Sequence, residues 1–367
     1  MAQLIIKEDD KTSSPLKLSS EVLVFVPIVD EALTDDALTK LESVNDLLNH
    51  RQAENKNVAY IIAHRCLTYG LHVLLGEASN NAKMETLIEK LGDQDAYPTL
   101  RFVTDGGYTD LNEKIKAILG DRPDVLLLLD YDADKDKNPS TLSQGLATGR
   151  NYSYFAPHGT LTALNDFKDT PVPGYLAYLC AFGKSIVDSG NPNYIAPAGL
   201  TYGIALDGFK PTIAYSKAER LALECKDAEG VPTVGTPINP IVELGNYGVV
   251  IWGNATAEIS QAGKERKSSS ILSNRHISYD FLKYLNALGN DLMFRQNSSS
   301  LFTEFRTKVI QFASPYLESA IESCNIYKVP TSRTTFSAIV EIAEIGAVDV
   351  IKLNLNLVDS SVATNEE

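Results

Sequence analysis

Two periods run along this chain, and the points where one gives way to the other mark out its elements. Glu21–Val29 is a strand pattern, apolar from Val22 and interrupted by Pro27. Ala32–Asn49 sets Leu33, Ala37, Leu38, Leu41, Val44, Leu47 and Leu48 at helical spacing, with Asp35 and Asp36 early, where a helix dipole favours acid. That spacing predicts a helix. Ala59–Leu75 is apolar and ends at Gly76; its first half predicts a helix, and Tyr69–Leu75 a strand. Thr99–Thr104 reads as a strand ending at Asp105-Gly106-Gly107. A helix with Leu111, Ile115, Ile118 and Leu119 on one face follows, and then Val125–Leu129, five apolar residues in a row. Strand, helix and wholly apolar strand in succession is the βαβ pattern of a parallel sheet. The first two-thirds of the chain therefore reads as α/β.

Residues 151–240 change character. Pro157, Pro171, Pro173, Pro192, Pro197, Pro211, Pro232, Pro237 and Pro240 punctuate them, so turns dominate, with a short helix at Tyr175–Ser185. Tyr247–Trp252 predicts a strand, Arg275–Leu292 and Leu301–Cys324 two long amphipathic helices, and Phe336–Ile345 a strand. The sharpest local pattern comes next: Ile351, Leu353, Leu355 and Leu357 alternate with Lys352, Asn354 and Asn356, before the polar stretch Asp359–Glu367. Near the other end Leu4, Ile5 and Ile6 form a strand signal too short to be stable alone. Both ends thus carry strands that have to pair with something.

Charge removes some function classes. A formal net charge of -14 repels a phosphate backbone, so nucleic acid is not expected as a direct partner. The longest apolar runs, Val22–Val29 and Val125–Leu129, are too short to span a bilayer, and the first ten residues do not read as a secretory signal. Cys66, Cys180, Cys225 and Cys324 form no CxxC pair and read as buried thiols in a reducing compartment, so the chain reads as assembled in a cytoplasm.

Catalytic patterns are sparse. Gly106-Gly107 fits neither nucleotide fingerprint and reads as a tight turn between strand and helix. Asp130, Asp132, Asp134 and Asp136 alternate after a buried strand, where a hard cation would find oxygen ligands, but a calcium loop needs Gly and Glu where Lys135 and Thr141 stand. An α/β enzyme using a divalent cation at this loop is the alternative reading. None of the five histidines sits in an HExxH pattern, no GxSxG occurs, and no cofactor is called for. Two basic clusters stand out in an acidic chain: Lys264, Arg266 and Lys267, and then Arg295, Arg306 and Lys308. They are solvated surface or a docking face for an acidic partner.

The motifs of the later chain fall in a recognisable order. Ile238–Val242 (INPIV), Gly248–Thr256 (GVVIWGNAT) and Ser273–Ile277 (SNRHI) are preceded by Thr104–Tyr108 (TDGGY), Tyr154–Gly159 (YFAPHG), Val172–Leu179 (VPGYLAYL) and Ala196–Leu200 (APAGL). Over about residues 100–357 this resembles the contractile tail sheath family of bacteriophages, tailocins and related injection systems. Two departures are visible: Ala255 stands where that strand motif usually has a basic residue, and Arg275-His276 where paired arginines are usual.

The resemblance implies an α/β unit followed by an α+β core domain built with both termini, and extended β-strand arms at each end. The divisions expected are an arm at 1–20, α/β sheath domain or domains at 21–240, a core domain with tube-facing helices at 241–345, and an arm with a polar tail at 346–367. It further implies a structural subunit, not an enzyme, in a helical homo-oligomer woven by strand exchange around a tail tube protein, with baseplate and terminator proteins at its ends. Contraction of such a polymer drives the tube through a cell envelope to deliver a genome, and the subunit then resides in the virion. Leu4, Ile5, Ile6, Ile351, Leu353, Leu355 and Leu357 would lie in the arms. Lys264, Arg266, Lys267, Arg306 and Lys308 would face the tube. A non-contractile, sheath-like tail component is a third reading.

Overall fold

The computed structural model describes residues 21–51, 57–120, 122–142, 145–162, 170–189, 197–202, 208–293, 295–317, 319–330 and 335–345. The first body is built on β1 (Leu23–Val29), β2 (Ala37–Leu41), α1 (Val44–His50), α2 (Val58–Thr68), β3 (His72–Ala78), α3 (Asn81–Lys90), β4 (Leu100–Thr104), α4 (Asn112–Leu119) and β5 (Leu126–Leu128). After α5 (Pro139–Leu142), β6 (Tyr152–Ser153) completes a sheet of order β2-β3-β1-β4-β5-β6. Its strands are parallel except β2, which runs antiparallel to β3 at one edge.

The strand period explains why β1 is central. Val24, Val26 and Ile28 enter a core with Ile61 and Ile62 of α2, while Leu23 and Phe25 enter another with Met84 of α3 and Ile115 of α4. Helices cover both faces, as a parallel sheet requires. Gly106 and Gly107 make the expected turn, with φ of +66° and +84°, values that L side chains rarely adopt.

The helix expected over Ala32–Asn49 is instead β2 followed by α1. Ser43 ends one and starts the other: its hydroxyl accepts from Asp46 N, and the Asp46 carboxylate accepts from Ser43 N, a reciprocal cap. A short strand placing Leu41 inward and a short helix placing Leu47 inward together imitate one helical stripe.

The turn-rich region holds β7 (Phe155–Ala156), β8 (Gly159–Leu161), β9 (Pro171–Val172), α6 (Tyr175–Ser189), α7 (Gly199–Tyr202), β10 (Phe209–Pro211) and α8 (Lys217–Leu223). Then come β11 (Asn239–Leu244), β12 (Gly248–Ile251), α9 (Leu272–Leu292), α10 (Ser299–Ala313), β13 (Ile321–Lys328) and β14 (Ala338–Glu344). The buried stripe of α6 and residues Leu272 and Tyr279 of α9 join the same core as β1 and α2, so α9 reaches from the parallel sheet into the last elements.

The helix expected over Leu301–Cys324 stops at Ala313. A 3-10 turn at Ser314–Tyr316 contains Pro315, which has no N–H to continue the ladder, and the chain returns as β13. Cys66, Cys180 and Cys225 are buried and Cys324 is half-buried; all four thiols are free. No helix among the described residues is long and apolar enough to cross a membrane.

Candidate interaction surfaces

β13 and β14 form a two-stranded sheet that stands apart from the others. Its inner face, with Cys324, Ile326, Ala338 and Val340, packs on Leu301, Phe305 and Val309 of α10. Alternation along β14 leaves Ile339, Glu341 and Ala343 on the outside. Among the described residues neither strand has a second strand beside it, so each offers an open row of backbone donors and acceptors. Such an edge is a template for another strand. The arm residues Leu4, Ile5, Ile6, Ile351, Leu353, Leu355 and Leu357 lie outside the described residues.

The basic residues fall into two places. Lys264, Arg266 and Lys267 lie in the loop before α9, whereas Arg306 and Lys308 lie on α10, which packs on the second half of α9. Lys308 is engaged within the fold: its Nζ is 2.8 Å from Asp291 and 3.1 Å from Glu304, and its side chain is 13% exposed. Arg306 is exposed and has no carboxylate partner among the described residues. Arg295 pairs with Glu304 through both guanidinium ends at 2.8 and 2.5 Å.

The motif residues turn inward. Asn239 Nδ2 donates to Ser153 Oγ (2.9 Å), Tyr154 O (3.1 Å) and Ala255 O (2.8 Å), and its Oδ1 accepts from Ala255 N (2.7 Å). It thereby pins β6 and β7 to the segment after β12. Gly253 is required beside it, since a Cβ there would stand 2.6 Å from Asn239 Oδ1. Removing the amide leaves several buried partners unsatisfied. Asn239→Ala is therefore expected to lower stability by about 3 kcal/mol, seen as a lower urea midpoint at constant slope.

Arg275 of the SNRHI segment donates to Pro123 O (3.1 Å) and Asn151 Oδ1 (2.9 Å), and its guanidinium lies 4.8 Å from the Tyr279 ring centroid. His276 is fully buried between Arg101 and Tyr178. Sequence patterns marked these residues by order but not by role. Their hydrogen-bond partners Pro123, Asn151, Arg101 and Tyr178 lie about a hundred or more positions away, and only the fold brings them within reach.

The acidic loop is committed to the fold as well. His158 of the YFAPHG motif lies between two of its carboxylates, with Nε2 2.7 Å from Asp130 and Nδ1 2.9 Å from Asp136. Tyr131 Oη donates to Asp136 at 2.6 Å, and Asp132 caps a 3-10 turn at Ala133–Lys137. Burial opposes the charged ring, but the two carboxylates outweigh it and push the His158 pKa up to about 10. Asp105, buried at the end of β4, accepts from Gly107 N (2.9 Å), Asp130 N (2.6 Å) and Tyr175 Oη (2.8 Å). Burial and then the Asp130 charge push it up to about 7. Two aspartates of the loop thus pair with His158, and among the described residues no group of three or more His, Cys, Asp or Glu is placed to hold the divalent cation that the alternative reading needs.

Comparison with solved structures fits this architecture end to end. A chain of the PVC sheath complex, an extracellular contractile injection system in its contracted state, is similar over 99% of this chain and 98% of its own, with a TM-score of 0.73 at 15% identity. A chain of the anti-feeding prophage baseplate is similar over 98% and 99%, with a TM-score of 0.71 at 14% identity. The sheath tail protein of Desulfitobacterium hafniense is similar over 95% and 100%, with a TM-score of 0.56 at 8% identity. No protein-family model matches the chain, and no curated protein matches it in sequence. The chain has the fold of contractile injection system sheath and sheath tail proteins, an α/β unit joined to an α+β unit.

Proposed function

We propose that this chain is a structural subunit of a contractile sheath, a helical homopolymer around a tail tube whose contraction drives the tube through a host cell envelope and delivers a genome. The observation that carries the reading is the fold match over nearly the full length of both this chain and the sheath chains. Residues 1–20 and 346–367 act as arms, with Leu4–Ile6 and Ile351–Leu357 adding strands to the hairpin edges of neighbouring copies. Main-chain pairing supplies the affinity, and alternate side chains set the register. Residues 21–240 and 241–345 serve as the outer α/β and inner core domains. The polymer stores its energy in assembly, so the subunit performs no catalysis.

Its partners are further copies of itself, a tube protein inside, and baseplate and terminator proteins at the ends. The particle assembles in a host cytoplasm, and the subunit resides in the virion or tail particle. Of the five basic residues, Arg306 is the best suited to an acidic tube, because Lys308 is already neutralised. Such contacts are weak and reversible, as contraction requires.

Purified protein in negative-stain micrographs is expected to form long tubes, and deleting residues 1–14 or 350–367 is expected to leave soluble monomers. Truncated protein that still polymerises would remove the arm assignment; a compact low oligomer from the full chain would remove the sheath itself. The likeness to a baseplate chain supports a second reading, a sheath-like collar. It predicts single rings instead of tubes.

A further inference from the structure

The loop with Lys264, Arg266 and Lys267 shapes a pocket of about 90 Å³, lined also by Ser260 and Ser270 and by the carboxylates of Glu258 and Glu265. Glu258 is taken up by Lys267 and by Ser269 Oγ (2.7 Å), and the three basic side chains exceed the two carboxylates by one. Ser260 Oγ and Arg266 Nε are buried without a hydrogen-bond partner among the described residues. The Arg266 guanidinium is held in place by donating from Nη2 to Glu224 O at 2.5 Å. Lys267 is 3.3 Å from Glu258, and Lys264 has no carboxylate partner among the described residues. Donors buried without acceptors are costly, so the pocket is prepared for an anionic group. Exposed Ile259 and Val234 flank the bridge between Gly235 and Ser260, so an occupant with apolar and acidic residues close together suits it.

Position adds the second argument. The Glu344 carboxylate, at the end of β14, accepts from Ser268 Oγ and from Ser278 Oγ (3.0 Å), which seats the base of the β13–β14 hairpin against the same loop. β14 is seven residues long, and the alternating segment Ile351–Leu357 is also seven. A strand of that length, about 23 Å, laid along the hairpin with its far end at the base would deliver Val358 and Asp359 beside Lys264. Residues 359–367 carry Asp359, Glu366 and Glu367 and no basic residue.

We propose that this pocket receives the acidic segment 359–367 of a second copy of the chain, after that copy's strand 351–357 has been added to the hairpin. The inference rests on the strand-exchange reading above and adds an electrostatic socket to it. The socket fixes register: a strand slipped by two residues keeps its face but pulls the carboxylates away from the lysines.

The test is a double-mutant cycle on the full-length protein, read as the critical concentration for polymer in sedimentation at about 50 mM salt. Lys264→Glu, and separately Asp359→Asn with Glu366→Gln and Glu367→Gln, are each expected to raise it several-fold, on the order of 3- to 10-fold. The combined variant is expected to be no worse than the worse single one, and the effects to shrink at about 0.5 M salt. Effects that multiply, or no effect, overturn the socket. Loss of polymer on deleting 350–367 with no effect of the charge changes overturns the socket alone, whereas polymer that survives the deletion overturns strand exchange. Should the protein stay monomeric, a labelled peptide of residues 350–367 takes the place of the second copy. Equal affinity for its neutral-tail version then overturns the proposal.

Discussion

Asp280→Ala is expected to cost about 3–5 kcal/mol of stability, the largest loss among the single changes considered, read as a drop in urea midpoint. Arg101 on β4 is buried, and Asp280 Oδ1 stands 2.6 Å from its Nη1. Arg101 and Arg275 sit 5.2 and 4.8 Å from the Tyr279 ring centroid, so a second cation shares the same ring. His276 contributes no charge: burial, and then Arg101 and Arg275, hold its pKa well below the usual histidine range. Its Nδ1 lies 3.2 Å from Arg101 Nη2, a pure donor, so Nδ1 accepts. The ring proton is then on Nε2, which donates to Tyr178 Oη at 2.6 Å. Removing Asp280 takes from the buried guanidinium the carboxylate that pairs with it. Asp280→Asn keeps the shape and an acceptor and is expected to cost less. The double change Arg101→Met with Asp280→Leu is expected to cost less than Asp280→Ala alone, because no charge is left stranded. A double variant that loses as much as the sum of both singles would show that the pair is not what holds this junction. The consequence reaches the interaction surface. Tyr316 Oη also donates to Asp280, so the network ties β4, α9 and the turn before β13. Loosening it frees the hairpin from the sheet behind it.

The same network shows what was legible beforehand. The run from Thr99 to Leu129 could be read directly, because each segment obeys one period over its whole length. Ala32–Asn49 could not, because a five-residue strand and a seven-residue helix abut at Ser43 and their inward residues coincide with one helical stripe. Leu301–Cys324 failed for a related reason: Leu317 and Ile321 continue the spacing of α10 by accident, after Pro315 has ended it. Motif order was visible for Asn239, Arg275 and His276, but burial was not, because a local pattern carries no information about a partner such as Asn151 or Arg101. Lys308 looked like free charge until the fold placed Asp291 against it. The alternation at Ile351–Leu357 was the clearest signal of all, and it lies outside the described residues.

The stability difference between the wild-type protein and His158→Gln is expected to shrink as pH rises from 6.5 to 10. His158 titrates at about 10 in the fold against 6.5 as a free side chain, because Asp130 and Asp136 outweigh the cost of burying its charge. A raised pKa means that the folded state holds the proton more tightly. Its contribution is therefore fully present below 6.5 and is lost as pH climbs through about 10. The shift corresponds to on the order of 4 kcal/mol at pH 6. Asp105 has the same sign in a lower window, its share being lost between 3.8 and about 7. Lys283 opposes both. Burial, and then Arg101, lower it from 10.5 to about 7, so its contribution is present above 10.5 and lost as pH falls toward 7. Its ammonium donates to Leu100 O at 2.6 Å and is only part-buried, which weakens that effect without removing it. A wild-type pH profile would therefore mix two opposed slopes and look nearly flat. Subtracting the His158→Gln profile cancels Lys283, which belongs to the other network, and leaves the histidine together with the carboxylates it touches. Denaturant unfolding of both proteins at half-unit steps from pH 6 to 10 measures it. A constant difference across that range would mean that the ring is neutral in the fold and that the two aspartates do not hold its proton.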